Sequence, residues 1–596
     1  MPIYQTPRDE IKFLLHDLLP ARDVAALPGY AEATPEAMLD IIEAAGQLCE
    51  EVLFPINQSG DKEGCTFHNG HVKTPTGFKE AYDVFCQGGW TALACDPAYG
   101  GQGLPLLVNF VIDELVSSAN LSFGIYPGLS HGAYNALHTH ASDELKKIYL
   151  PHLVTGQWSG TMCLTEPHCG TDLGLIRTKA EPQHDGSYKI SGTKIFISSG
   201  EHDLTENIIH LVLAKLPDAP TGTKGISLFV VPKFVPNTDG TLGEKNGVTC
   251  GSIEHKMGIK ASATCVMNFD GAQGWLVGRP HGGMKAMFTM MNEARLAVAL
   301  QGLGLAEVSY QNARAYARDR LQGRSLTGAK YPEKAADPLI VHPDVRKNLL
   351  TMKSMIEGAR AMAYWIGMEQ DISLKHADES RKKQAEDLVA LMTPVLKSYL
   401  TDLGSEVSNI GMQIYGGHGY IHEWGMEQYV RDARICQIYE GANGIQALDL
   451  VGRKMAEDFG RLARQFFHPV SQYIIDNQHN KNVQEFLPAL MSAFAKLQNA
   501  ALTIGTRGFA NPDEAGAAAA DFLKMMALVA MGWWWLRMMD VAQKKLLQND
   551  GNKIFYEGKV HTGRFYMTKI MPQVNALNLA IMSGAKPVMA MPEEAF

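Results

Sequence analysis

Short β-type runs confined to residues 160–280 interrupt a chain otherwise patterned for long helices, and this change of texture constrains the fold more than any other feature. Tyr188–Ser198, Asn207–Leu216, Gly225–Val231 and Thr264–Asp270 are the clearest runs, broken by Gly, Pro, Asn and Asp turns. Helical periodicity precedes them over Ala37–Val52, Gly77–Cys86, Leu106–Ala119 and Ser142–Val154. It returns over Lys285–Leu321, Val345–Glu369 and Lys383–Leu403, and after an interruption around His468–Asn482 it resumes in a block that includes Ala518–Leu547. An uninterrupted β block between helical blocks argues for segregated α+β domains rather than an alternating βαβ fold. The expected division is an N-terminal extension 1–40, a helical domain 41–159, a central β domain 160–281, a helical bundle 282–455 and an additional helical domain 456–596.

Composition narrows the function classes. The 596 residues carry 54 Lys+Arg against 63 Asp+Glu, a net charge of −9, which argues against a sequence-independent nucleic-acid binder. Residues 456–596 hold 14 basic and 12 acidic side chains, so they form no basic arm. Nine cysteines, an odd number without a C-x-x-C pair, indicate a reduced, cytoplasmic protein. The polar start of the chain lacks the pattern of an export signal, and its last residues, Glu593-Glu594-Ala595-Phe596, are no peroxisomal address. The longest apolar run, Met525–Leu536, is 12 residues, short of a membrane span, so no transmembrane segment is expected and the Trp533–Trp535 cluster reads as helix-packing core.

Common cofactor signatures fail. No G-x-G-x-x-G follows a strand, and Gly323–Lys330 imitates a P-loop but puts Ala329 where Lys belongs. His138-x-His140 and His422-Glu423 lack further ligands, so no metal is expected. Gly128-Leu-Ser130-His131-Gly132 matches a nucleophile elbow after the strand-like Leu121–Tyr126, but it lies in a helical block where a small-residue turn is the simpler reading.

Four segments carry the chemistry. Cys163-Leu-Thr-Glu-Pro-His-Cys-Gly-Thr-Asp172 offers hydroxyls and backbone N–H groups at a strand end. Lys194–Gly200 puts Phe196 and Ser198 at alternate strand positions, suited to covering a flat heterocycle. The helix Met287–Arg320 follows, and then Gln413–Tyr420 with Arg431-Asp-Ala-Arg434 and Ile438-Tyr-Glu-Gly441. In this order, with Ala98–Leu104 and Lys256–Ser262, the segments resemble the acyl-CoA dehydrogenase family over about residues 80–450. The resemblance implies an N-terminal helical domain, a central β-barrel and a C-terminal helical bundle with FAD as cofactor. Residues 1–40 and 456–596 resemble the extensions of a subgroup that includes 3-methylmercaptopropionyl-CoA and long- and medium-chain fatty acyl-CoA enzymes.

Carried over by position, Leu164 and Thr165 would meet the flavin ring edge, and Thr171 would lie beside the FAD pyrophosphate and the CoA portion. Phe196 would cover the flavin, with Ser198 as the neighbouring hydroxyl. Arg320, with Gln322 two residues on, would reach the FAD of a partner subunit, and Gln413 and Gly417 would close over its adenosine part. These cross-subunit roles imply a homodimer. Asn292 and Arg295 match the family's CoA contacts. Glu440 would be the catalytic base that takes the α-proton, desolvated by the apolar run Ile435–Tyr439. A branch of the family places its base at the position of Ala294; Glu293 lies about 100° around the helix from it, so the sequence sides with the Glu440 branch.

The expected activity is α,β-dehydrogenation of acyl-CoA thioesters, medium- to long-chain favoured, with electrons passed to electron-transferring flavoprotein. 3-Methylmercaptopropionyl-CoA is the alternative substrate. An acyl-CoA oxidase, a Ser130 thioester hydrolase and a non-catalytic flavin-binding scaffold are the other readings.

Overall fold

The computed structural model describes residues 2–237 and 239–596. The chain forms two compact units, one of Ala45–Leu104 with Leu115–Ala297, the other of Met1–Ala44, Pro105–Glu114 and Val298–Phe596.

The first unit is built on seven strands: β1 (Trp158–Cys163), β2 (Lys179–Pro182), β3 (Tyr188–Ser198), β4 (Asn207–Lys215), β5 (Ile226–Pro232), β6 (Val248–Ile253) and β7 (Thr264–Val277). Five of them close a ring, β4–β5–β7–β3–β2 and back to β4, and the expected barrel is this ring. Its closing seam is short, the pair Lys179↔Lys215 with Lys215 N donating to Thr178 O at 2.9 Å. β1 joins parallel to β4, and β6 joins antiparallel to β7. β4 and β5 are buried along almost their whole length and mostly apolar, because their alternate faces pack into two cores. Val212, Ala214, Phe229 and Val231 share one core cluster with Ile190, Ile197, Cys265 and Phe269. Leu211, Leu213, Leu228 and Val230 share another with Tyr149, Leu153, Met287 and Met290. β7 is longer than the expected Thr264–Asp270 because bulges let it turn from β3 to β5.

The second unit is helical. Its long elements are α2 (Gly283–Asp319) from Val298 onward, α3 (Pro343–Lys375), α4 (Glu379–Tyr415), α5 (Met426–Cys436), α6 (Leu487–Ala510), α7 (Pro512–Gln548) and α8 (Lys553–Phe565); α1 (Leu106–His140) contributes its first turns. The extensions are integral to it. Lys559, 1% exposed, pairs with Glu10 and with Glu357 at 2.9 Å, tying the first helical turns and α8 to α3. Arg360 bonds Glu114 and Glu307 at 2.7 Å, and Tyr364 OH donates to Glu114 at 2.7 Å. Trp534 and Trp535 are fully buried and Trp365 packs on Trp533 and Trp534 at 5.4 and 5.5 Å, so the tryptophan cluster is core.

Two expectations are corrected and a third is extended. Leu121–Tyr126 is helical, not strand: Asn120 breaks α1 (φ −159°, ψ 89°), and its side chain accepts from Phe123 N at 3.1 Å, capping a renewed helix. The break expected at His468–Asn482 begins later, because the helix Arg461–Asp476 runs through Pro469. The longest consecutive apolar run remains Met525–Leu536, but apolar length is greater over windows that admit a few polar residues. α1 and α7 are long and apolar enough to span a bilayer by composition, with 83% and 67% of their apolar windows buried inside the protein, as core helices are.

Candidate active site

In the sheet unit, the chain leaves β1 through Leu164 and Thr165, both half-buried. Lys194, on β3 and fully buried, donates to Leu164 O at 3.0 Å and to Glu166 at 2.8 Å. Glu166 also accepts from Arg177 N, Thr178 N and Thr178 Oγ1. Burial pushes the Glu166 carboxyl up, but the Lys194 charge and these hydrogen bonds outweigh it and hold it below the ordinary range. Ile195 N donates to Thr165 O at 2.9 Å, so this pin seats Leu164 and Thr165 against the strand that carries Phe196 and Ser198. Thr171 is exposed on the following turn, where Asp172 accepts from Gly174 N.

Phe196 is 59% exposed and holds a left-handed backbone, φ +59°. The cause is a register shift. Ile197 faces Cys265 but Lys194 faces Met267, so Ile195 and Phe196 oppose one residue of β7. The bulge takes in Phe196 itself, so the regular alternation that put Phe196 and Ser198 on one face is interrupted there. Ser198, half-buried, pairs with Thr264.

On the part of α2 that belongs to this unit, Arg295 is 9% exposed, donates to Asn292 Oδ1 at 3.3 Å and lies 5.8 Å over the Phe288 ring; Asn292 is exposed. Glu293 faces elsewhere. It pairs with His131 and accepts from Asn135 Nδ2 at 2.5 Å, which removes it as a substitute base. Ser130 is 3% exposed, donates to Tyr126 O at 3.0 Å and accepts from Gly160 N at 3.1 Å. A hydroxyl tied to its own helix and a neighbouring strand is no nucleophile elbow. Glu166, His168 and Cys169 bring ligand-type atoms within 4.8 Å of one another, but the Glu166 oxygens are already taken by Lys194, Thr178 and the Arg177 backbone.

In the helical unit, two expected pairs come together. Tyr316 stacks on Tyr415 at 4.0 Å and hydrogen-bonds His418 at 2.8 Å, and His418 stacks on Trp424 at 4.4 Å. This cluster, absent from the sequence reading, joins the end of α2, with Arg320 and Gln322, to the end of α4, with Gln413 and Gly417. All four are exposed. A Cβ on Gly417 would meet no heavy atom within 4 Å, so the surface there is open, whereas one on Gly419 would strike Met412 O at 2.3 Å.

Glu440 sits in the turn after α5, half-buried, with φ +57°, followed by Gly441 at φ +86°. Side chains fix the turn from below. Lys397, fully buried on α4, donates to Gly441 O at 2.7 Å and to Asn443 Oδ1 at 3.0 Å. Gln446 Nε2 donates to the carbonyls of Glu440 and Gly441 at 3.2 and 3.3 Å, and Asn443 Nδ2 reaches Ser398 O, Thr401 and Asp402. The φ of +86° at Gly441 is a backbone that L side chains rarely adopt, and a Cβ there would also displace Gln446 Nε2, 2.4 Å away, so glycine suits the position. The desolvation expected from Ile435–Tyr439 is partial: Cys436 is buried and its thiol pushed up to about 12 by burial, but Ile438 is 51% exposed.

The chain matches four family models: acyl-CoA dehydrogenase N-terminal domain over 35–157, middle domain over 161–272, C-terminal domain over 281–455, and an acetyl-CoA dehydrogenase C-terminal-like domain over 466–592. It belongs to the acyl-CoA dehydrogenase family and is an oxidoreductase of that class. It is 41% identical to a 3-methylmercaptopropionyl-CoA dehydrogenase of Ruegeria pomeroyi, over 96% of this chain and 97% of the relative. It is 32% identical to a broad-specificity linear acyl-CoA dehydrogenase of Mycobacterium tuberculosis, over 99% of each. Among solved structures, Caenorhabditis elegans ACDH-11 in complex with C11-CoA shares the fold, with a TM-score of 0.77 at 17% identity over 95% of this chain and 92% of that one.

Proposed function

We propose that the protein oxidises a short acyl-CoA thioester, 3-methylmercaptopropionyl-CoA first and linear acyl-CoAs second, with Glu440 as the base. The full-length 41% identity to an enzyme named for 3-methylmercaptopropionyl-CoA carries the substrate reading, and it sets the medium- to long-chain preference expected from sequence behind it. FAD, when bound, supplies the hydride acceptor. Its fit rests on the exposed, left-handed Phe196 and on the open backbone at Gly417.

Glu440 takes the α-proton. Its backbone is immobilised by Lys397 and Gln446, which limits the reorganisation needed to reach an attack geometry. Arg295, oriented by Asn292, binds CoA. Leu164 and Thr165, seated by the Lys194–Glu166 pair, contact the flavin edge with Ser198, and Thr171 lies by the pyrophosphate. Arg320, Gln322, Gln413 and Gly417 serve the FAD of a second subunit, in a homodimer whose electron acceptor is electron-transferring flavoprotein; their exposure in the single chain supports this.

Steady-state assay with a graded acyl-CoA panel, a flavoprotein acceptor present or withheld, tests the reading. The expected order puts 3-methylmercaptopropionyl-CoA above pentanoyl-CoA and both above octanoyl-CoA. Highest kcat/KM on long chains, or rapid turnover on oxygen alone, would overturn it.

A further inference from the structure

Gln301 is a polar residue on an otherwise apolar stretch of α2, Ala297-Val-Ala-Leu-Gln-Gly-Leu. Its side-chain oxygen accepts from the Tyr439 hydroxyl and from the Cys436 thiol, the latter at 3.7 Å. Tyr439 is the residue immediately before Glu440. The Tyr439 donor orients the amide, because Nε2 carries only hydrogens to give; the single Cys436 hydrogen is shared between Gln301 and Asp432 O at 3.9 Å. Among the described residues Nε2 has no hydrogen-bond partner, and Gln301 is half-buried. The single Tyr439 hydroxyl proton is spent on Gln301, so the tyrosine is no donor toward substrate. What remains, on a residue hydrogen-bonded to the immediate neighbour of the base, is an oriented –NH2 group with two hydrogens uncommitted among the described residues.

We infer that Gln301 is a specificity-determining residue: its amide donates to a hydrogen-bond acceptor carried in the acyl chain near the reacting carbons, here the thioether sulfur of the 3-methylmercaptopropionyl group. The inference rests on the proposed role of Glu440 and the proposed substrate. A thioether sulfur is a weak acceptor. The isosteric pentanoyl chain offers a methylene at the same place, which accepts nothing and leaves the amide unpaired once water is excluded. The pair therefore separates two acyl groups of nearly equal size, which an apolar pocket alone does poorly.

The test uses the full-length flavoprotein and compares kcat/KM for 3-methylmercaptopropionyl-CoA and pentanoyl-CoA in wild type, Gln301→Leu and Gln301→Glu. Intrinsic reactivity of the two thioesters cancels when the ratio is compared across proteins. The ratio is expected to fall about fivefold in both variants, the size of one modest hydrogen bond. The Glu variant keeps the shape and the acceptor for Tyr439 while replacing the NH2 by a charged oxygen; the charge acts on both thioesters and cancels in the ratio, so this variant decides the matter if the Leu variant fails to fold. An unchanged ratio in the folded variants would overturn the inference while leaving the substrate reading intact. A wild-type enzyme that turns over neither thioester would defeat the substrate reading, and this inference with it.

Discussion

Phe196 and Glu440 both hold left-handed backbone, yet the two are held by different means. At Phe196 the conformation comes from strand pairing, a bulge between β3 and β7 in a unit whose core is an apolar ring of strands. At Glu440 it comes from side chains, above all the buried Lys397 ammonium, the buried Gln446 amide and the half-buried Asn443 amide. A sheet fixes backbone through its ladder, so side chains on it are free to serve a ligand. A helix end leaves its following turn without such a ladder, so polar side chains must supply it. Deleting one side chain should therefore disturb the Glu440 turn far more than the Phe196 bulge.

The largest effect belongs to the reacting group itself. Glu440→Gln should retain flavin and lower the rate of flavin reduction by acyl-CoA about 10²–10⁴-fold, the usual worth of a general base. Stopped-flow absorbance measures it. Next is Lys397→Met, which takes the closest donor from Gly441 O and Asn443 Oδ1 and leaves them only the longer bonds from Gln446 Nε2 and Thr401 Oγ1, both at 3.3 Å. With the turn displaced, kcat should fall roughly ten- to hundredfold with little change in KM, and Lys397→Arg should recover part of it. Equal losses in a Phe196→Leu variant would erase the contrast between the two sites.

Acid sharpens the comparison. In the sheet unit, burial pulls His202 and His210 down to about 3. Their neutral forms are favoured in the fold, so stability present above about pH 6.5 is lost as the unfolded chain protonates below it. In the helical unit, burial raises Asp371 to about 6 although Leu106 N, Leu107 N and Tyr30 OH donate to it. Its protonated form is favoured in the fold, so that contribution grows as pH falls through 6. Between pH 6 and 5 the two histidines should cost the sheet unit about 2 kcal/mol, and Asp371 should return about 1 kcal/mol to the helical unit. Hydrogen exchange, corrected for intrinsic rate, should show β4 losing protection over this interval and α3 keeping or gaining it. The smallest effect is at the bulge. Phe196→Gly should relieve about 1 kcal/mol of backbone strain while weakening flavin retention, read by thermal denaturation of the apoprotein and by flavin content.

The sequence made the architecture readable because its two periodicities differ so sharply: short, nearly apolar runs such as Ile226–Val231, bounded by Gly225 and Pro232, read as buried strands. Leu121–Tyr126 misled for the opposite reason. Its aromatic and aliphatic residues suit a strand, and only the Asn120 cap, a tertiary detail, makes it helix. The candidate site residues were readable as motif positions. Their supports were not, since Lys397, Gln446, Gln301 and the Tyr316–Tyr415–His418 cluster join residues up to 138 positions apart and no local spacing announces such contacts.

The most direct measurement of the central claim is anaerobic titration of the purified flavoprotein with 3-methylmercaptopropionyl-CoA, wild type beside Glu440→Gln, following the oxidised flavin band. The account predicts stoichiometric bleaching of the wild type and, on the same timescale, almost none in the variant. A variant that bleaches as fast as wild type would contradict Glu440 as the base. A wild type that no acyl-CoA bleaches would contradict the dehydrogenase reading of the site.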